Sequence, residues 1–298
     1  MTIAATDIQT AILAWYGAHG RSLAFRATAD PYAVLVSEVM AQQTQISRVE
    51  EAWTQFLGAF PTIHALAAAT PADVLRAWRG LGYNRRGLNL WRAARVVVDE
   101  HGGELPRDIA ALEQLPGVGP YTARAVAAIA FGMPVGAVDT NVRRVLGRVV
   151  AGSRDAVQGR ELQALADASV PPAQPAAWTH ALMDLGATIC RAQTPLCTGC
   201  PVQAWCRYAA TRGAGEQART MRAREAPFPS TSRWLRGRIL DSLRDGRGWV
   251  DVEDRIGQHQ RPAVEVALAD LAADCLIERA DGDALRARLP VATGAASG

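Results

Sequence analysis

From residue 7 to about residue 210, apolar side chains recur every three to four positions, the period of a helix with one buried face. No run in this stretch alternates apolar and polar residues as a half-buried strand does. Short breakers punctuate the pattern at Gly20, Pro31, Pro61, Pro71, Gly80 to Gly82, Gly102 and Gly103, Pro106, Pro116 to Pro120, Pro134, and Pro171 to Pro175. Their spacing predicts an all-α body of roughly ten short helices.

Residues 211–231, TRGAGEQARTMRAREAPFPST, lose the helical period and gain glycine, proline and arginine, which predicts a linker. Beyond it, RWLRGRILDSLRDG, VDVEDRIG and PAVEVALADLAADCL read as three helices, and IERADGDALRARL as a hairpin turning at Asp281 to Asp283. The expected organisation is a helical domain over 1–210, the linker, and a small winged-helix-like module over 232–298 that ends in a disordered tail.

At 298 residues and 49% hydrophobic, the chain can bury two cores of ordinary size. Charges interrupt every apolar stretch before bilayer-spanning length, and no basic-then-apolar leader opens the chain, so a cytoplasmic protein without a membrane partner is expected. The net charge is +3 and the sequence holds no lysine, which removes any lysine side chain from Schiff-base chemistry. Arginines gather at Arg76, Arg79, Arg85, Arg86 and Arg92, and again at Arg143, Arg144 and Arg148, as solvated helix faces or as the footprint of a polyanion.

Four of the five cysteines, Cys190, Cys197, Cys200 and Cys206, fall in CRAQTPLCTGCPVQAWC. Disulfides do not suit a cytoplasmic chain. Four thiolates suit zinc or an iron-sulfur cluster, and their confinement to one compact loop favours the cluster. Cys275, in the tail, reads as a small core residue.

The stretch LPGVGPYTARAV, residues 115–126, sets a glycine-framed hairpin directly before a helix start. Gly117, Val118 and Gly119 would expose backbone N–H groups at a helix N-terminus, an arrangement that favours a phosphate. In PVGAVDTNVRRVLGRV, an apolar run meets Asp139, a good N-cap for the helix that follows. Upstream, in DPYAVLVSEVMAQQTQISRV, Leu35, Val39, Ile46 and Val49 form an apolar stripe, with Glu38, Gln42 and Gln45 on the adjoining face. A face of amides and one carboxylate, without a cation before Arg48, reads as functional.

The hairpin, VDTNV, SEVMAQQTQ, GLGY, MDLGATIC and the four-cysteine loop occur in the order seen in the endonuclease III-like superfamily of helix-hairpin-helix DNA glycosylases. Over about residues 8–208 the chain most resembles its A/G-specific adenine branch. The resemblance implies a two-lobed helical fold with a 4Fe-4S cluster on the four cysteines, and double-stranded DNA carrying a mispaired adenine across the cleft. A base flipped out of the stack would be excised, because the glycosidic bond is inaccessible within a duplex. It further implies that Glu38 protonates adenine and activates water, that Asp139 stabilises an oxocarbenium-like sugar, and that Tyr121 and Asn141 assist near the sugar. Such chemistry requires a raised pKa at Glu38. Gln42, Gln43, Thr44, Tyr83, Gly117, Val118, Gly119 and Arg143 would contact DNA. The implied protein is a monofunctional, monomeric, nucleoid-associated repair enzyme, because the bifunctional branch carries a lysine where this chain has Tyr121.

Three departures limit what the resemblance carries over. The family commonly has LPWR where this chain has LAFR at 23–26, and a second aromatic where Asn84 follows Tyr83. Members commonly end in a Nudix-like domain, for which the residues after the linker are too few; the shorter tail, with RGRIL, resembles that of actinobacterial relatives and is expected to add DNA or partner affinity. Two other readings stand beside this one. The first is a mismatch thymine or uracil glycosylase on the same fold, against which Glu38 counts. The second is a non-catalytic, redox-sensitive DNA-binding protein, which leaves Glu38, Tyr121, Asp139 and Asn141 together unexplained.

Overall fold

The computed structural model describes residues 5–211 and 227–291, which are mostly helical. In chain order the first stretch contains α1 (Ala5–His19), α2 (Pro31–Ala41), α3 (Ile46–Ala59), α4 (Ile63–Ala68), α5 (Pro71–Ala77) and α6 (Arg85–Glu100). It continues with α7 (Ile109–Gln114), α8 (Pro120–Ile129), α9 (Thr140–Ala151), α10 (Gly159–Ala168), α11 (Pro175–Thr188) and α12 (Arg207–Ala210). The second stretch holds α13 (Ser232–Asp245), β1 (Val250–Asp251), α14 (Arg261–Ala273), β2 (Glu278–Arg279) and β3 (Arg286–Arg288).

Many starts are written in the sequence. Thr62, Thr70 and Thr231 accept backbone N–H bonds as N-caps, and proline opens α5, α8 and α11, where its missing N–H costs nothing.

These residues form two compact units that do not follow chain order. The first comprises 5–38, 106–114 and 118–211. Its core joins Ile12 with Val142, Val145, Leu146, Trp178, Leu182 and Leu185, and α11 packs against α1, α8 and α9. The second comprises 39–105, 115–117 and 227–291. There Leu75 and Leu88, from α5 and α6, share one core with Leu235, Ile239, Leu268, Leu271, Ile277 and Leu289, so the C-terminal helices are buried with α5 and α6 rather than apart from them.

The C-terminal elements include a three-stranded antiparallel sheet in the order β1-β3-β2, with Val250 opposite Ala287 and Glu278 opposite Arg288. The hairpin between β2 and β3 turns where the sequence predicts. VDVEDRIG, however, is not a helix: β1 is followed by a bridge between Ile256 and His259. Val250 and Val252 alternate with acidic residues, and that period of two directs Val252 into the core while its N–H bonds Leu285 O at 2.9 Å.

Cys275 is likewise not a core residue. It is exposed just beyond α14 with φ 57°, and Leu276 and Ile277 take the buried places. Of the predicted linker, Phe228–Ser230 forms a 3-10 turn leading into the Thr231 cap; 212–226 and the tail at 292–298 lie outside the described residues. Among the described residues no helix is long and apolar enough to cross a membrane.

Candidate active site

Glu38 sits one turn before the end of α2 and is 8% exposed. The hydroxyl of Tyr121, in the first turn of α8, donates to Glu38 Oε2 at 2.8 Å. Burial pushes the Glu38 carboxyl up to about 7; the Tyr121 hydroxyl and the Arg26 guanidinium oppose the rise, and the charge of Asp139 adds to it. Near neutral pH this group can therefore both hold and release a proton. The Tyr121 proton is itself held well above its usual range, first by burial and then by Glu38 and Asp139, so the phenol remains a donor.

Asp139 caps α9 as its sequence position predicts. Its Oδ1 accepts the backbone N–H groups of Asn141 and Val142 at 2.8 and 2.6 Å, and its Oδ2 accepts Asn141 Nδ2 at 2.9 Å. Asn141 is fixed in turn, because Arg144 Nη2 donates to its Oδ1 and to Gly186 O, both at 2.7 Å. Gly186 of α11 has no room for a side chain: an added Cβ would fall 2.5 Å from Asn141 Cβ. Asp139 thus has one orientation, set by three donors and a tight helix contact, and lies close enough to Glu38 for its charge to be felt there.

The hairpin has the geometry its glycines suggest. Gly117 takes φ 80°, and a Cβ there would fall 2.7 Å from Asn89 Cβ, so both conformation and space demand glycine. Val118 is buried, while Gly119 is exposed at the N-cap of α8 with nothing within 4 Å of an added Cβ. Arg143, on α9, keeps a half-exposed side chain 3.6 Å from Asp155.

The four cysteines line one small cavity together with Val145, Arg148 and Tyr208. Arg148 is 1% exposed; its Nη1 points at Cys190 Sγ at 3.5 Å and donates to Arg191 O at 2.6 Å, and its guanidinium lies 4.5 Å from the Tyr208 ring centre. Backbone N–H groups of Val202 and of Tyr208 and Ala209 face the Cys200 and Cys206 sulfurs. Among the described residues no group of three His, Cys, Asp or Glu side chains is drawn together tightly enough for one metal ion. A cavity ringed by four thiols, with amide donors and a buried cation aimed at the sulfurs, fits a larger anionic cluster.

Residues 36–172 match the HhH-GPD superfamily base excision DNA repair protein family. The chain is 43% identical over 279 residues to the adenine DNA glycosylase of Mycolicibacterium smegmatis, covering 91% of this chain and 93% of that protein. This chain belongs to the adenine DNA glycosylase family. Among solved structures, a thermostable thymine-DNA glycosylase superposes with a TM-score of 0.66 at 30% identity, covering 70% of this chain and 97% of that one. A trapped endonuclease III-DNA covalent intermediate superposes with a TM-score of 0.60 at 26% identity, covering 71% and 99%.

In this glycosylase, α2 does not run on through the glutamines as the apolar stripe suggests. It stops at Ala41, Gln43 takes φ 56°, and α3 begins at Ile46, so Glu38, Gln42 and Gln45 do not share one helix face. The cause is Arg86. Its Nη1 donates to Val39 O at 2.9 Å, to Met40 O at 3.0 Å and to Gln42 O, carbonyls that a longer helix would use for its own N–H groups. Nη2 of the same guanidinium donates to Thr44 Oγ1, Leu81 O and Gly82 O, so one arginine holds both the Gln42–Gln43–Thr44 turn and the Gly82–Tyr83 turn. Burial lowers its pKa to about 10.

The arginine clusters divide between the surface, where Arg79 and Arg85 keep exposed side chains, and the interior. Arg79 pairs with Asp245 and Arg85 with Asp274, while Arg86, Arg144 and Arg148 bind backbone carbonyls. Asn84, the family departure, accepts Arg244 Nη2 at 2.6 Å and so anchors α13.

Arg26 and Asp184 escape the sequence reading altogether. Asp184 is fully buried; Arg26 meets both its oxygens at 2.8 and 2.9 Å, and Arg21 Nε donates to Oδ1 at 2.7 Å. Burial pushes the Asp184 carboxyl up, and the two arginines more than offset it. A lone acid within the apolar run ALMDLGA was the available signal, since such a residue needs a cationic partner.

Proposed function

We propose that this glycosylase excises adenine mispaired with 8-oxoguanine or guanine from duplex DNA as a monomer, leaving an abasic site. The observation that carries the reading is the buried Glu38 carboxyl, poised near pH 7, hydrogen-bonded to Tyr121 and within charge range of Asp139. Adenine leaves poorly as an anion, so Glu38 donates its proton to the ring as the C1′–N9 bond breaks and the bonding electrons pass to the base. The sugar becomes cationic, and Asp139, held by Asn141, stabilises it. Water then adds at C1′ and returns its proton to the Glu38 carboxylate.

Solved relatives in complex with DNA support DNA as the partner. In this reading Gly117, Val118, Gly119 and Arg143 receive backbone phosphates, and Gln42, Gln43, Thr44 and Tyr83 meet bases, which places the protein at the nucleoid. Cys190, Cys197, Cys200 and Cys206 hold a 4Fe-4S cluster, which when bound pins the loop and can carry one electron. Arg148 complements its charge.

Single-turnover release from duplexes with adenine opposite 8-oxoguanine, guanine or cytosine, and thymine opposite guanine, tests the substrate. Adenine release fastest opposite 8-oxoguanine supports the reading, and thymine release alone moves it to the branch of the thermostable neighbour. With no lysine in the chain, borohydride should trap no lysine-linked protein–DNA adduct; an efficient trap would contradict monofunctional hydrolysis. Tyr121→Phe removes a hydroxyl that favours the Glu38 carboxylate, so the alkaline fall of the release rate should move to higher pH. A limb that moves down would contradict the acid assignment.

A further inference from the structure

The first unit contains a cleft that the reaction does not use. Its volume is about 320 Å³, within the range of small-ligand sites. Ile8 and Ile12 of α1, Val149 of α9, Leu165 of α10, and Trp178 and Leu182 of α11 give it largely apolar walls. Arg207, the first residue of α12, lines it as well and has an exposed side chain.

The polar groups around the cleft are of two kinds. Gln9 and Ser169 make bonds within the fold: Gln9 Nε2 donates to Ser169 O at 3.0 Å, and Ser169 Oγ donates to Ala166 O at 2.8 Å. Trp178 and Arg207 differ. Trp178 is 2% exposed, and its indole N–H meets no acceptor among the described residues. A buried donor without an acceptor is rare in a native fold and bears the full cost of its desolvation. Among the described residues no carboxylate pairs with Arg207.

Both unmatched groups are donors, one neutral and buried, the other charged and at the surface. With apolar walls they suit one chemical class, an anion with an apolar body whose oxygens accept hydrogen bonds. We propose that this cleft binds a small amphipathic carboxylate, of the kind that a medium-length fatty acid represents. A cationic amphiphile would oppose Arg207 and leave the Trp178 N–H without an acceptor. The site stands apart from the excision reading, since none of these residues takes part in that chemistry.

Calorimetric titration of the full-length, cluster-loaded protein with decanoate, kept below its micelle concentration, tests the site. Decanoate should bind once per chain, and octanoate about tenfold more weakly, the factor that two fewer buried methylenes represent. Decylammonium should not bind. Arg207→Gln should weaken decanoate about fivefold or more and leave the uncharged decanol unchanged, whereas Trp178→Phe should weaken both. Ile8→Trp, from α1, and Ala168→Trp, from α10, each place a ring in the cleft and should abolish binding of both.

Val145 and Val149 line both this cleft and the four-cysteine cavity, so melting curves and cluster absorbance must show that each variant is folded and loaded. If one tryptophan variant does not fold, the other, filling the cleft from a different helix, carries the comparison. Absence of decanoate binding in wild type, equal binding of decanoate and decylammonium, or undiminished binding in the folded tryptophan variants would overturn the proposal. Unchanged decanoate affinity in Arg207→Gln would overturn the assignment of an anion.

Discussion

Glu38→Gln should slow adenine release by about a hundredfold or more, the usual contribution of a positioned general acid, while making the folded protein more stable at pH 8. Both effects follow from one buried carboxyl. Its pKa is about 7 in the fold against an ordinary 4.5, so the folded state binds more protons than the unfolded chain between those values. The stability this proton supports is fully present below about pH 4.5 and is lost as pH rises through 7. Above pH 7 the burdened carboxylate costs ~3 kcal/mol. A glutamine keeps the shape, accepts the Tyr121 hydroxyl and never ionises, so urea denaturation should find the variant more stable by about 2 kcal/mol at pH 8, with the difference shrinking by pH 5. A variant less stable than wild type at pH 8 would remove the buried-acid account.

Asp139 combines a helix cap with a candidate charge at the sugar, and two substitutions separate them. Asp139→Asn retains a capping oxygen but loses the negative charge, and should lower release by roughly a hundredfold or more, as expected when one preorganised electrostatic partner of the transition state is removed. Its new Nδ2 faces Asn141 Nδ2, whose own amide oxygen is held by Arg144, so a modest loss of stability accompanies the rate loss. Asp139→Ala loses the cap as well, and should melt lower than Asp139→Asn by about 1 kcal/mol in unfolding free energy. If Asp139→Asn releases adenine at the wild-type rate, the residue is a cap alone.

Much of this arrangement is legible in the sequence because it is local. The prolines opening α8 and α11, the threonine caps and the Asp139 cap act within a few residues of themselves, and the helical period reports each buried face. Glu38, Tyr121, Asp139 and Asn141, chosen from scattered motifs, lie in one unit and are joined by hydrogen bonds or by charge.

What escapes the sequence is decided by partners far along the chain. The stop in α2 depends on Arg86, more than forty residues on, whose donors compete with the helix for its carbonyls. Asp184 stands out as an acid in an apolar run, but nothing local names Arg26, 158 residues away, as its partner. Charge counting also leaves the arginine clusters unsorted, since composition does not say whether a guanidinium faces solvent or a carbonyl. In the C-terminal sheet, two valines in alternation are too short a pattern to outweigh a mostly helical neighbourhood.

The most direct test of the central claim is the pH dependence of single-turnover adenine release opposite 8-oxoguanine, in wild type and in Glu38→Gln. A buried acid at Glu38 predicts release that falls as pH rises through about 7 in wild type, and a residual rate without that limb in the variant. Release by Glu38→Gln at the wild-type rate, with the same limb, would contradict it.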